Sequence, residues 1–151
     1  MLDQAAQAEF ELQYRLVLII YSATLASIFI YLGIGFLLIR TLPSRVAGRS
    51  AGSLLITFYG LAAILLALIL RLRKSWITPL PSLASAPGEA LDLISRYRIG
   101  HIVVFVLCEV ITLIGLVLLF LVGSFRHLVY FALSSLIMLI VSYPKRWSKP
   151  T

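Results

Sequence analysis

The sequence predicts an all-α integral membrane protein with four transmembrane helices, and three observations lead there. Of the 151 residues, 61% are hydrophobic and 13% charged, with a mean hydropathy of +1.03, whereas soluble domains are typically about 45–50% apolar and about 25% charged. A chain of this length cannot hide so much apolar surface in one core, because small domains leave a large part of their area exposed. Finally, the apolar residues are gathered in four runs that reach or approach the roughly 20 residues a helix needs to cross the hydrocarbon.

The first run, residues 16–39, carries no charge. Asp3, Glu9 and Glu11 precede it and it is too long for the apolar region of a signal peptide, so it is expected to be a retained span. Residues 1–15 show only a weak apolar pattern for a helix lying in the interface. The second run, residues 54–70, is rich in Leu, Ile and Ala. The polar stretch that follows, residues 75–99, contains Pro79, Pro81 and Pro87, which argue against one continuous helix. Its second half reads as a short interfacial helix before the third span and running into it. Pro87 stands near the start, Glu89 and Asp92 lie in the first turns and Arg96 and Arg98 at the end, as the helix dipole favours. Leu91, Ile94 and Tyr97 would face the membrane. The third run, residues 102–122, carries Glu109 as its single charge, and the fourth, residues 128–143, is the shortest. Only Gly123, Ser124, Phe125, Arg126 and His127 separate these two, which predicts a tight antiparallel hairpin. No internal repeat divides the chain, so residues 1–151 read as a single membrane domain.

The formal charge of +7 does not point to nucleic acid, because the basic residues sit in short clusters between apolar runs and form no basic face interleaved with aromatics. They read as topology signals and contacts with anionic headgroups of the lipid bilayer. With four spans, Arg15, Arg71, Arg73, Lys74, Arg96, Arg98, Lys145, Arg146 and Lys149 share one side, against Arg40, Arg45, Arg49 and Arg126 on the other. This bias places both termini in the cytoplasm of a bacterial-type inner or energy-transducing membrane. Trp76, Tyr97, Tyr143 and Trp147 stand at span ends, where aromatic side chains anchor to the interface. Cys108 is the single cysteine, so no intrachain disulfide forms.

Glu109 is the chemically distinctive residue. A charged acid at the centre of a span costs about 2.5–3.5 kcal/mol, while each Leu, Ile, Phe or Val returns about 0.3–0.6 kcal/mol. Residues 102–122 hold seventeen of these, a return on the order of 5–10 kcal/mol, so insertion is favourable despite the acid. At about 1.5 Å per residue, Glu109 lies about 12 Å beyond His101, near the middle of a core about 30 Å thick. Lipid disfavours the charged form, so the carboxyl is expected to be neutral or tightly hydrogen-bonded, and intramembrane acids are functional candidates. Partners expected at similar depth are Thr112 one turn away, Thr24 or Ser27 on the first span and Tyr59 on the second. A hairpin centred near Phe125 would bring Ser142 to Glu109 and Ser134 or Ser135 to Leu116. Glu109 then acts either as hydrogen-bonding glue between helices or as a proton-binding group.

The stretch "EVITLIGLV", Glu109 to Val117, resembles the carboxylate-bearing helix of the c subunits, or proteolipids, of rotary ATP synthases, in which Glu is followed six residues later by Gly amid Leu, Ile and Val. The resemblance covers about nine residues and implies that Glu109 is the proton-binding acid and Gly115 the packing glycine. It also agrees with the expected cytoplasm-outward direction of the third span. Those subunits pair this helix with a glycine-rich one, whereas here the first span has Gly33 and Gly35 and the second Gly60. A divergent c-like protein or an accessory subunit therefore fits better than an ordinary rotor subunit.

Catalytic signatures do not occur: there is no phosphate-binding glycine loop, no Cys and His metal spacing and no second carboxylate inside a span. His101 and His127 flank the third span, more than about 30 Å apart by helix rise, so they are not expected to share a metal or one haem. No cofactor and no enzyme activity is expected. The expected function is that of a non-catalytic subunit working through other integral membrane subunits or a second copy of itself. The alternatives are a c-like protein in proton translocation and, further off, a small transporter.

Overall fold

The computed structural model describes residues 4–40, 49–77 and 87–144. These form four α-helices and no strand: α1 (Gln4–Leu38), α2 (Arg49–Leu72) extended by a π-helical turn (Arg73–Ile77), α3 (Pro87–Val122) and α4 (Phe125–Val141). Arg45, Pro79, Pro81, Lys145, Arg146, Trp147 and Lys149 lie outside the described residues. Three helical stretches, Ala8–Leu38, Gly52–Ile77 and Ile94–Val122, are long and apolar enough to cross a membrane, and Phe125–Val141 is a shorter apolar helix.

Each helix begins before the apolar run that marks it. α1 begins twelve residues before Leu16, and α2 with its π turn continues seven residues beyond Leu70. α3 starts fifteen residues before Ile102, so the short helix expected ahead of the third span runs into it without a break: Pro87 to Val122 is one continuous helix. Hydropathy reports what requires an apolar solvent, not where hydrogen bonding stops. Gln, Glu, Ala, Leu and Arg are all good helix formers, and each residue added to an existing helix closes another backbone bond. Pro87 occupies the first position of α3, where its missing N–H is harmless. At 36 residues α3 is about 54 Å long, against about 30 Å for a bilayer core.

α3 is the centre of the bundle and packs against each of the other three helices, while α1 also packs on α4. Half of the apolar window of α3 is buried inside the protein, against 11% of that of α2, which rests chiefly on α3. The main core joins Val17 and Ile28 of α1, Ala62 and Ile69 of α2, Val104, Phe105, Cys108, Ile111 and Leu118 of α3, and Phe131 and Leu139 of α4. Large apolar side chains nevertheless cover the outside, among them Ile19, Phe29, Ile56, Ile64, Ile137 and Ile140. So much exposed apolar surface marks a chain whose exterior meets an apolar medium or another protein.

Pairings along the helices give their directions. Gln13 and Phe10 of α1 meet Arg98 and Tyr97 of α3, and Gly35 of α1 meets Leu119 further along, so α1 and α3 are parallel. Trp76 and Ile77 pack on Gly100, while Tyr59 reaches Phe131 and His127, so α2 runs against α3. α1 and α3 therefore start at the same end of the bundle, and their first turns form a satellite cluster of Phe10, Tyr14, Ile94 and Tyr97. Beside it runs a polar relay: Arg98 Nη1 donates to Gln13 Oε1 at 2.9 Å, and Gln13 Nε2 donates to Glu9 Oε1 at 2.7 Å.

Gly123 and Ser124 alone join α3 to α4. Gly123 has φ 71, the left-handed region that a residue with a Cβ avoids, and its N–H reaches the Leu119 carbonyl at 2.8 Å, closing the helix end. Phe125 is the first residue of α4 rather than the middle of the turn, so the pairing is set by Gly123–Ser124. Gly115 lies against Leu128 and Phe131, and Cys108 against Ser135. α4 stops at Ser142, whose N–H is shared between the Met138 and Leu139 carbonyls, and Pro144 follows.

Candidate functional site

On α3, Val106, Val110, Leu113, Val117 and Phe120 are all exposed. Their spacing of three and four residues draws one stripe along the helix. Glu109 borders this stripe on the side of α1 and is half-buried. Its carboxyl is held by Tyr31, whose hydroxyl donates to Glu109 Oε1 at 2.8 Å.

The bond spans an axial offset. Since Gly35 meets Leu119, the Cα of Tyr31 stands near the level of Gly115, six residues or about 9 Å along α3 from Glu109. Helical side chains lean toward the N terminus. The long tyrosine on α1 therefore reaches back down the parallel pair and meets the carboxyl well below its own Cα. One side chain thus pins α1 to α3 midway along their contact.

The hydroxyls expected around Glu109 are placed elsewhere. Thr112 Oγ1 donates to the Cys108 carbonyl at 3.2 Å, Thr24 Oγ1 to Ile20 at 3.0 Å and Ser27 Oγ to Thr24 at 2.8 Å. A serine or threonine within a helix finds the carbonyl three or four residues back without crossing to another helix. Tyr59 pairs with His127 Nδ1 at 2.9 Å, at the far end of the bundle from the satellite cluster. Ser142 does not come level with Glu109, nor does Ser135 come level with Leu116: Ser135 Oγ donates to the Cys108 carbonyl at 2.7 Å, and Ser142 lies a further seven residues toward the end of α4. The register centred on Phe125 is displaced because the turn precedes that residue.

Gly115, by contrast, is a close-packing position. A Cβ there would stand 2.7 Å from Phe131 Cβ and 3.2 Å from the backbone of Leu128. It lies six residues beyond Glu109 on the face turned to α4, so the carboxyl and the glycine serve different neighbours.

Tyr31 is the partner that depth counting missed. Matching Cα levels selects Thr24 and Ser27, whose hydroxyls lie within a bond or two of their own helix. The useful signal was reach: a tyrosine up to two turns further along a parallel helix delivers its hydroxyl to the same level. Tyr31→Phe should lower bundle stability in a bilayer by about 0.6–1.7 kcal/mol, the range for interhelical side-chain bonds in membranes. Glu109→Leu should do the same, while Glu109→Gln keeps an acceptor and should stay near the parent. Forced unfolding of single molecules in lipid measures this. Equal stability of the Phe and parent proteins would show that the bond contributes nothing.

Among the described residues no group of three or more His, Cys, Asp or Glu is placed to hold a metal ion. The site chemistry is confined to one carboxyl, one phenol and the helix stripe beside them. The chain matches no family model, no curated protein and no solved structure.

Proposed function

We propose that the chain is a four-span integral membrane protein acting as a non-catalytic subunit of a larger membrane-bound complex, with the stripe of α3 beside Glu109 as its docking face. The observation that carries this reading is the half-buried Glu109 on the margin of an exposed apolar stripe. A carboxyl at this position in lipid is unfavourable unless a protein neighbour covers it, and Tyr31 is its one hydrogen-bond partner among the described residues. A helix from another membrane subunit laid along Val106, Leu113 and Phe120 would cover both the stripe and the acid. In membranes such contacts come from packing and hydrogen bonds, because lipid is as apolar as the side chains.

In this reading α3 and α4 form a tight membrane hairpin. The end of the bundle that carries Arg15, Arg71, Arg73, Lys74, Arg96 and Arg98 faces the cytoplasm, and Arg40 and Arg126 face the other side. The parallel start of α1 and α3 then stands above the cytoplasmic surface as a short stub, with the partly buried Glu9, Gln13 and Arg98 relay along it. α4, at 17 residues or about 25 Å, is shielded along one side by α3 and α1, which lessens its mismatch with the core.

A second reading, a c-like proton-binding protein, draws on Glu109 with its phenolic partner and on Gly115 as a close-packing glycine on the same helix. The two readings separate on one pair of variants. If docking is the role, Glu109→Leu loses the larger membrane proteins that co-purify with the parent in mild detergent. If proton binding is the role, Glu109→Gln abolishes proton flux in vesicles while assembly is unchanged. Recovery of the parent only as a lone monomer, with no flux, would remove both.

A further inference from the structure

Two buried polar atoms lack a hydrogen-bond partner among the described residues: His101 Nε2 and Ser142 Oγ. His101 is fully buried and Ser142 is 2% exposed. Buried polar atoms are rarely left unpaired, because each then loses its bonds to water without replacement. The register of α3 against α4 brings the two residues to one level of the bundle.

The α3 and α4 seam shows why. Gly115 lies against Leu128, and Cys108 receives the bond from Ser135. On α3, His101, Cys108 and Gly115 recur every seven residues, and on α4 so do Leu128, Ser135 and Ser142. A seven-residue spacing keeps side chains on one seam, and antiparallel helices count it in opposite directions. The third pair in the series is therefore His101 with Ser142. Ring contacts bracket the same place. Phe105 lies 5.8 Å from His101 and 5.6 Å from Tyr21, and Tyr21 lies 5.3 Å from Tyr143, the neighbour of Ser142.

The other ring nitrogen assigns the tautomer of His101. Nδ1 lies 2.9 Å from the Tyr97 carbonyl, which can only accept. In the neutral ring the proton is therefore on Nδ1, and Nε2 carries a lone pair that requires a donor. The serine hydroxyl can give or take a hydrogen bond, yet the two side chains make no direct bond.

We propose that His101 and Ser142 form one buried binding site for a single water molecule, which donates to His101 Nε2 and pairs with Ser142 Oγ. Water is the ligand class that fits: it brings the donor that Nε2 lacks, serves either sense of the serine hydroxyl, and adds no charge among Val104, Phe105 and Leu139. A metal ion would need further ligands, and no cluster of them occurs among the described residues. Bound there, the water ties the last turn of α4 to α3 and gives the imidazole an exchangeable hydrogen bond on the seam side.

Nitrogen-15 spectra of histidine-labelled protein in bilayers test this directly, with His127, the other histidine of the chain, as internal reference. The expected result is an unprotonated, hydrogen-bonded His101 Nε2 with magnetisation transfer from a bound water. Ser142→Ala should move that resonance and weaken the transfer, and Ser142→Thr should restore both. Absence of transfer in the parent protein overturns the proposal, whether Nε2 is then bonded to the serine or to nothing. Where Ser142→Ala also loosens α4, thermal unfolding of His101→Phe, Ser142→Ala and the double variant supplies a second measure. A shared site makes the double variant lose less than the sum of the singles, and additive losses overturn the proposal.

Discussion

Gly115→Leu separates α3 from α4 and lowers stability by about 3 kcal/mol or more, the upper range for forcing extra carbon into a packed seam. The reason is the nature of the atoms met. A Cβ at Gly115 would come within 2.7 Å of Phe131 Cβ and 3.2 Å of Leu128 Cα, and neither atom can swing aside without moving α4. Gly115→Ala should therefore lose about 1–2 kcal/mol even though alanine is the better helix former by about 1 kcal/mol. Gly33→Ala and Gly60→Ala are the controls, since a Cβ there meets nothing within 4 Å. They should be neutral or stabilising by up to about 1 kcal/mol. Gly35 is intermediate: its new Cβ would overlap the tip of Leu128, the far end of a flexible side chain. Unfolding midpoints of the four alanine variants in one lipid mixture decide the matter. Four similar values would mean that the α3 and α4 seam is not packed as described.

Phe10→Ala should release the start of α1 from α3 while leaving the main bundle intact. Phe10 is 7% exposed, and its ring lies 5.8 Å from that of Tyr97 and 6.5 Å from that of Tyr14. It is the α1 centre of a cluster whose other buried members are Ile94 and Tyr97. Truncating a buried phenylalanine costs about 3–5 kcal/mol, more than a three-residue buried cluster can absorb. Hydrogen exchange should accelerate at residues 8–15 and 94–98 and remain slow at 104–118. An accelerated core would show that the two clusters unfold together. Unchanged exchange at residues 8–15 would show that the helix start is held by something other than this contact.

The extent of the fold that hydropathy revealed follows from what hydropathy measures. The runs at 54–70 and 102–122 lie within helices long and apolar enough to span, and the run at 16–39 does so save for Ile39, because long unbroken apolar stretches favour helix and escape from water. The polar starts of α1 and α3 were not legible in the same way. Their residues have ordinary helix propensity, and only the neighbouring parallel helix, through Phe10, Gln13, Ile94, Tyr97 and Arg98, gives them something to pack against. The site divides along the same line. Glu109 announces itself as a lone carboxyl among seventeen apolar residues, but its partner does not. Tyr31 is about two turns away in level, and the serines and threonines that seemed better placed satisfy their own helices.

Composition by itself determined the all-helical class, the number of apolar helices, the singular acid and the glycine that follows it, because these depend on local chemistry and on transfer from water. The tertiary structure alone decided that α3 is central, that Gly123–Ser124 and not Phe125 sets the pairing of α3 with α4, and that a tyrosine holds the acid. Those outcomes depend on the relative shift of helices by one or two turns, and a shift of that size leaves hydropathy unchanged while exchanging every side-chain partner along the seam.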